Sequence, residues 1–272
     1  MSADLLLALD VGNTNISLGL FDDERKLRAD WRIETRSGRT ADEYVAILSE
    51  LFRRAGIDLA AVKSVVVSSV VPPILAPIER LCRVYLNVAP LVVGPGTKTG
   101  VPVLYENPRE VVTDWIVNAV AAHERWPQGA IVVDFGTATT FDVVTRKGEY
   151  QGGVICPGVG ISADALFQRA ARLPRVDIRN PGRVVGRSTV GSIQSGLYFG
   201  YAAMCEGIIQ RIRAELGEKV RVVATGGLAE SMAADIPSIE AVDPVLTLTG
   251  LRLIWERNRD HAVRREATQG DS

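Results

Sequence analysis

The chain has 272 residues, of which 47% are hydrophobic and 23% charged, and its formal net charge is −1 with a pI near 6.2. This composition is typical of a globular protein of one large or two ordinary domains, and it excludes the concentrated positive charge with which proteins bind nucleic acid or anionic membranes. Three widely spaced cysteines and two histidines leave little material for a disulfide framework, a zinc site or a histidine-based nucleophile, and we expect a cytoplasmic protein with reduced thiols.

The first part of the chain is predicted to form three strands and then to alternate between helices and strands. An apolar hairpin occupies residues 5–22, and apolar residues alternate with charged ones over residues 27–34. Thr40 and Glu43 then form a capping box that opens a helix ending at Gly56. The remaining predicted elements of this part are a buried strand over 62–71, a helix over 72–85 and a short strand over 91–93.

A glycine- and proline-rich stretch without helical periodicity separates the two halves of the chain at residues 94–108. We place the domain boundary there, which gives an N-terminal domain of residues 1–110 and a C-terminal domain of residues 111–272. The second domain is predicted to repeat the order of the first. Its predicted elements are a helix over 114–124, strands over 130–134, 139–144 and 149–155, helices over 162–171 and 190–216, a strand over 220–224, a short helix, a strand over 239–242 and a last helix to about residue 258.

Each half contains a turn between two strands in which an aspartate is followed two residues later by a glycine. The two copies are Asp10-Val11-Gly12-Asn13-Thr14 and Asp134-Phe135-Gly136-Thr137. Backbone N–H groups and threonine hydroxyls in such a turn can bind phosphate, and the aspartate can hold a hydrated cation, with magnesium on the side of Asp10. A plain hairpin is the alternative for either turn alone, whereas two matching copies favour a duplicated domain whose turns face one cleft.

A third glycine turn, at Gly226 and Gly227, follows a buried strand and precedes a helix. Paired glycines there allow flat contact with the base and ribose of a nucleotide, and the N-terminus of the helix adds N–H donors. A purely structural turn is the alternative interpretation. Beside the two phosphate turns, we interpret this one as the third wall of a nucleotide site.

Asp114 is the candidate catalytic base, because it opens the helix that precedes the second hairpin. In phosphoryl transfer such an aspartate accepts the proton of the attacking hydroxyl, while the phosphates are held in line. A carboxylate at a helix N-terminus is also favoured on structural grounds alone, so a simple N-cap is the alternative interpretation.

Taken together, these motifs resemble those of the type III pantothenate kinases. The segments that carry the resemblance are Asp10 to Thr14, Asp134 to Thr140, Gly152-Gly153 with Pro157-Gly158, Leu173-Pro174, the turn from Gly186 to Thr189 with Gln194-Ser195-Gly196, and Thr225-Gly226-Gly227. The resemblance implies an α/β protein of two duplicated ribonuclease-H-like domains, the actin-like ATPase fold, with mixed sheets flanked by helices and ATP in the cleft. It also implies a homodimer, dependence on Mg²⁺ and a monovalent cation such as K⁺ or NH₄⁺, and phosphorylation of pantothenate to 4′-phosphopantothenate, the first step of coenzyme A synthesis.

The resemblance assigns a role to each matching position of this chain. It implies that Asp114 is the proton acceptor, that Asp134 binds the monovalent cation rather than magnesium, and that Tyr105 and Thr189 contact pantothenate. The implied ATP contacts are Asp10, Val11, Gly12, Asn13, Thr14, Asn15, Ile16, Ser17, Thr137, Gly226 and Gly227.

One motif departs from the family pattern. The family usually has Gly-Ala-Asp-Arg around the catalytic aspartate and uses these four residues to bind pantothenate, whereas this chain has Val112-Thr113-Asp114-Trp115. Valine adds bulk where glycine lets a substrate approach, and tryptophan has neither the charge nor the forked donors of a guanidinium. The departure leaves three hypotheses. The first is an active pantothenate kinase with a variant pocket, and the second is a catalytically weak nucleotide-binding paralogue with a regulatory or accessory role. The third is a kinase or phosphatase of the same superfamily that acts on another small substrate.

Overall fold

The computed structural model describes residues 4–170 and 172–269, which form two compact units. We call them the first unit, made of residues up to 100, residues 109–121 and residues from 247 onward, and the second unit, made of residues 101–108 and 122–246. Each unit is built around one five-stranded sheet.

The sheet of the first unit has the strand order β3-β2-β1-β4-β5. Its first three strands form an antiparallel meander, and β4 and β5 continue the sheet in parallel with β1. The strands are β1 (Leu5–Val11), β2 (Asn15–Phe21), β3 (Leu27–Glu34), β4 (Val62–Ser69) and β5 (Leu91–Val92), and the helices between them are α1 (Ala41–Ala55) and α2 (Pro72–Val84).

The sheet of the second unit repeats this order as β8-β7-β6-β9-β10, with β6 antiparallel to β7 and parallel to β9. Its strands are β6 (Ala130–Phe135), β7 (Ala138–Val144), β8 (Tyr150–Pro157), β9 (Arg221–Gly226) and β10 (Ala241–Val242). The remaining helices are α3 (Thr113–Arg125), α4 (Val159–Arg169), α5 (Thr189–Leu216), α6 (Ala229–Ala233) and α7 (Leu246–Gln269). The identical topology of the two sheets confirms the predicted duplication.

The local signals in the sequence produce the elements that they predict. The side chain of Thr40 accepts a hydrogen bond from the backbone N–H of Glu43, and the carboxylate of Glu43 accepts one from the backbone N–H of Thr40. Gly56 ends α1 in the left-handed conformation at φ 68°. The apolar face of α1, including Leu48 and Phe52, packs on the buried β1 and β4. Burial of this face, rather than helix propensity, provides most of the stabilisation.

The division of the chain into units differs from the predicted boundary after residue 110. The first part of α3 and helix α7 from Thr247 onward belong to the first unit, because these two helices pack against each other. A Cβ atom at Gly250 of α7 would collide with the carbonyl oxygen of Val117 of α3, and Thr247 donates a hydrogen bond of 2.8 Å to Asn118. A contact between positions so far apart in the chain has no local signature.

Two helix boundaries also differ from prediction. Helix α4 begins at Val159, three residues before the predicted start at 162, and the predicted last residue, 171, lies outside the described residues. Helix α7 continues to Gln269 although its predicted end was about residue 258. In the described part of the chain, no helix combines the length and the apolar character needed to span a bilayer.

Candidate active site

The first aspartate–glycine turn connects β1 to β2 and presents its tip to solvent. The backbone N–H of Gly12 donates to the carbonyl oxygen of Asn15 at 3.0 Å, which closes the turn. Thr35, just after β3, holds the turn from the side, with its hydroxyl donating to the carbonyl of Gly12 at 2.7 Å and its N–H donating to that of Thr14 at 2.9 Å. Asn13, Thr14 and Asn15 are exposed. The turn is therefore rigid at its base and accessible at its tip.

Asp10, near the end of β1, is partly buried and lies beside a second carboxyl group. Its Oδ1 accepts a hydrogen bond of 2.6 Å from the hydroxyl of Ser68, and its side chain is also hydrogen-bonded to Asp114. Burial raises the pKa of Asp10, while the hydrogen bonds from Ser68 and Asp114 and the positive charge of Arg32 act in the opposite direction.

Asp114 lies in the first turn of α3 and is not its N-cap, because the helix already begins at Thr113. The structure thus differs from the simple capping interpretation. At this place the partial positive charge of the helix N-terminus stabilises the carboxylate form. Val112 and Trp115 flank the aspartate, and the N–H of Trp115 donates to the carbonyl of Val112 at 3.2 Å. All four residues of this motif are partly buried.

The second aspartate–glycine turn connects β6 to β7 and has the same construction. The N–H of Gly136 donates to the carbonyl of Ala138 at 3.0 Å, and Gly136 and Thr137 are exposed. Gly158, at the start of α4, donates to the carbonyl of Thr137 at 3.1 Å. A Cβ atom on Gly158 would collide with that carbonyl, so glycine is needed where the helix approaches the turn.

Asp134 lies against the third glycine turn. Gly226 adopts φ +92°, and a Cβ atom there would collide with Oδ1 of Asp134 and with the backbone of Phe135. An ideal Cβ on Gly136 would lie 3.5 Å from the same Oδ1. The carboxylate of Asp134 is therefore surrounded by main chain from two glycine turns, with Gly227 exposed beside them. Such a setting offers oxygen ligands to a hard cation.

The two aspartates occupy equivalent places in the two sheets. Asp10 pairs with Ser68 on the parallel strand β4, and Asp134 pairs with Thr225 on the parallel strand β9. A hydroxyl residue thus stands beside each aspartate at the carboxyl end of its neighbouring strand. Ser68 was not among the predicted site residues, although a serine that ends an apolar strand in line with the repeated motif was a usable signal.

The two predicted substrate contacts lie in the second unit. The ring of Tyr105 packs over Gly152 of β8, and an ideal Cβ on Gly152 would lie 3.4 Å from two of the ring atoms. Thr189 is the exposed first residue of α5, and Ser188 caps that helix by accepting from the N–H of Gly191 at 3.1 Å.

In the first unit, the structure brings Asp10, Asp114 and the first aspartate–glycine turn together. In the second unit it brings Asp134 together with Gly226 and the turn at Gly136, and it places the ring of Tyr105 against Gly152 of β8. It also reveals a buried carboxyl group that the sequence analysis did not single out, Asp142 on β7.

Comparison with known proteins identifies related sequences. A family model described as type III pantothenate kinase matches residues 6–211. A type III pantothenate kinase from Geobacter sulfurreducens is 55% identical over 256 residues, which cover 94% of this chain and 100% of that protein. Another, from Myxococcus xanthus, is 56% identical over 254 residues, covering 93% of this chain and 99% of that protein.

Solved structures with similar folds are much more distant in sequence. The activator of the 2-hydroxyisocaproyl-CoA dehydratase from Clostridium difficile with bound ADPNP has a TM-score of 0.55 at 14% identity, covering 96% of this chain and 97% of that one. A putative 2-dehydro-3-deoxygalactonokinase from Sinorhizobium meliloti has a TM-score of 0.56 at 10% identity, covering 92% and 97%. At this identity the likeness concerns the fold, which is the actin-like ATPase fold with two mixed sheets flanked by helices.

Proposed function

The chain belongs to the type III pantothenate kinase family, and we propose that it catalyses the ATP-dependent phosphorylation of pantothenate to 4′-phosphopantothenate, the first step of coenzyme A synthesis. The observation that carries this proposal is the partly buried pair of Asp10 and Asp114 at the base of a turn whose tip is exposed. A kinase needs a proton acceptor next to the group that holds the transferred phosphate, and this pair supplies both.

In the proposed mechanism, Asp114 is the general base. Its carboxylate accepts the proton of the primary hydroxyl of pantothenate as the oxygen attacks the γ-phosphate of ATP. The first turn of α3 favours the ionised form of Asp114 before the reaction. The backbone N–H groups and hydroxyls of residues 10–17 bind the β- and γ-phosphates, and Thr137, Gly226 and Gly227 provide further contacts with ATP.

Two cations are part of the proposal, and the residues present suit each of them. Asp10 supplies a carboxylate at the base of the phosphate turn, and Mg²⁺ is commonly held by one or two carboxylates together with phosphates and water. When bound, Mg²⁺ neutralises charge on the phosphates. Asp134, surrounded by the main chain of two glycine turns, is the proposed ligand for K⁺ or NH₄⁺.

The residues that we propose to contact pantothenate are Tyr105, Val112, Thr113, Trp115 and Thr189. With tryptophan in place of the family's arginine, this pocket offers the carboxylate and hydroxyls of pantothenate fewer charged donors.

The alternative of a catalytically weak regulatory paralogue is not favoured. Relatives more than half identical over nearly the whole chain are named type III pantothenate kinases. The differences at Val112 and Trp115 are confined to one motif, whereas both aspartate turns and the third glycine turn are intact.

We further propose a cytoplasmic homodimer. The cysteines at positions 82, 156 and 205 are free thiols, as expected in a reducing compartment. Most of the large apolar side chains that are exposed in the described part of the chain lie between residues 155 and 190 of the second unit, which supports a second copy of the chain as the partner of this surface. The members of this surface, which we call the apolar surface, are Ile155, Ile161, Leu166, Phe167, Val184, Val185 and Val190.

A coupled assay of ADP release tests the function. The purified protein is incubated with ATP, Mg²⁺ and either K⁺ or NH₄⁺, with and without pantothenate, and 4′-phosphopantothenate is identified by mass spectrometry. We expect ADP release that depends on pantothenate and increases with the monovalent cation. Binding of ATP without any pantothenate-dependent turnover would contradict the proposal.

A further inference from the structure

A buried polar cluster in the second unit has no role in the mechanism above. Asp142, in the middle of β7, is only 2% exposed and lies in a strand whose neighbouring residues are apolar. Its two carboxylate oxygens each accept one hydrogen bond of 2.9 Å, Oδ2 from the hydroxyl of Thr140 and Oδ1 from the phenol of Tyr150. Both of these donors are neutral.

Such a carboxyl group is not explained by stability. Burying an acid among neutral donors costs free energy, and an apolar side chain in this strand would avoid that cost. Burial raises the pKa of Asp142 to about 7, and the negative charge of Asp134 raises it as well, against the lowering effect of the two hydrogen bonds. The acid therefore destabilises the fold relative to an apolar residue. Its remaining role is to hold its partner Tyr150 in position.

Tyr150 connects this acid to the segment that carries Tyr105. The backbone of Tyr150 makes two hydrogen bonds with the segment, from its N–H to the carbonyl of Pro102 and from the N–H of Leu104 to its own carbonyl, both at 2.8 Å. The aromatic ring of Tyr150 also packs against that of Tyr105, with 6.3 Å between the ring centroids. In the same segment Leu104 is 54% exposed, so its own side chain adds little packing there.

We propose that Asp142 and Tyr150 are positioning residues that fix the ring of Tyr105 for binding of the acceptor substrate. Asp142 holds the phenol of Tyr150, Tyr150 holds the segment and its aromatic ring, and Tyr105 then lies over Gly152 at van der Waals distance. The inference rests on the proposed function, because it takes pantothenate as the molecule that Tyr105 contacts.

The test is the variant Tyr150→Phe, which keeps the ring and the backbone hydrogen bonds and removes only the bond to Asp142. We expect the KM for pantothenate to rise about tenfold, with kcat and the KM for ATP within about twofold of wild type, as for loss of one hydrogen bond to an acid. Tyr198→Phe is the matched control, because Tyr198 is equally buried and also donates to a carboxylate, Asp235, at 2.7 Å. This control should leave the KM for pantothenate unchanged.

A double-mutant cycle with Tyr105→Ala distinguishes positioning from general loosening. If Tyr150 acts through Tyr105, Tyr150→Phe has no further effect on the KM for pantothenate once Tyr105 is truncated. Asp142→Asn provides conservative rescue, since its amide oxygen still accepts from Tyr150, and its KM should stay near that of wild type. Asp142→Leu should match Tyr150→Phe.

The outcomes distinguish failure of the positioning role from failure of the kinase assignment. An unchanged KM for pantothenate in Tyr150→Phe, an equal rise in Tyr198→Phe, or additive effects in the cycle would each overturn the positioning role while leaving the kinase assignment intact. A wild-type protein without pantothenate-dependent turnover would overturn the kinase assignment and this inference with it.

Discussion

At the scale of single residues, the substitution Asp114→Asn tests the role of Asp114 in proton transfer separately from any role in stability. In Asp114→Asn the amide can donate to the carboxylate of Asp10, so the contact between the two side chains persists without a shared proton. We expect kcat to fall by about a hundredfold or more, with a KM for ATP close to wild type and an unchanged melting temperature, as for removal of a general base. Steady-state kinetics and a thermal melt provide the measurements.

The control for this prediction is Asp58→Asn in the same unit. Asp58 caps a short 3₁₀ turn by accepting from the N–H of Ala60, a role that asparagine fills equally well. This variant should keep wild-type kinetics. If Asp114→Asn retained wild-type turnover, Asp114 would not be the base.

We expect a substitution at Trp115 to lower the KM for pantothenate. Trp115→Arg introduces a charged, forked donor next to Asp114, at the place where the family usually has arginine. We expect the KM for pantothenate to fall about tenfold, in line with one added hydrogen bond from a charged group. The measurement is the KM for pantothenate at saturating ATP.

A matched variant, Trp115→Lys, supplies the charge without the planar fork and should give a smaller gain. A higher KM for pantothenate in Trp115→Arg would mean that the indole itself forms part of the pocket in this protein.

At the scale of elements, helix α7 packs against α3 and so fixes the position of Asp114, the proposed base. Because Gly250 brings the two helices into backbone contact, Gly250→Ala should force them apart. We expect a destabilisation of about 1–3 kcal/mol, the usual effect of overpacking. A thermal melt should record it as a lower melting temperature, and kcat should fall as Asp114 moves relative to Asp10.

The matched control is Gly207→Ala on α5, where the nearest atom to an added Cβ is the flexible end of Arg211 at 3.3 Å. There, alanine should stabilise the helix by about 0.5–1 kcal/mol. A melting temperature of Gly250→Ala equal to wild type would show that α7 can shift without cost and that it does not hold the base.

The packing of α3 and α7 illustrates the kind of contact that could not be predicted from the sequence, whereas local elements could. Signals that lie within a few residues of each other, such as Thr40 with Glu43 or the two aspartate turns, are local, and the structure contains the elements that they predict. The packing of Gly250 on Val117 and the hydrogen bond of Asp10 with Asp114 join positions far apart in the chain. Such contacts depend on how complete elements pack, so periodicity and turn chemistry do not reveal them.

At the scale of the whole molecule, the apolar surface of the second unit makes the oligomeric state testable. Helix α4 has Val159 as its buried residue, while Ile161, Leu166 and Phe167 are exposed. A single chain gains nothing from a helix that leaves this much apolar surface in water, whereas a second copy of the chain would bury it. The proposed homodimer therefore predicts that a charge on this surface dissociates the protein without unfolding it.

Val185→Asp is the variant that tests this, because Val185 is 78% exposed and its substitution leaves the interior of the chain unchanged. We expect light scattering after size-exclusion chromatography to report a dimer for the wild type and a monomer for the variant. The control is Val84→Asp at the end of α2, 57% exposed and outside the apolar surface, which should remain dimeric. Since Thr189 is exposed beside Val190 of this surface, we also expect the monomeric variant to have a raised KM for pantothenate. A wild-type protein that is monomeric at micromolar concentration would refute the proposed homodimer.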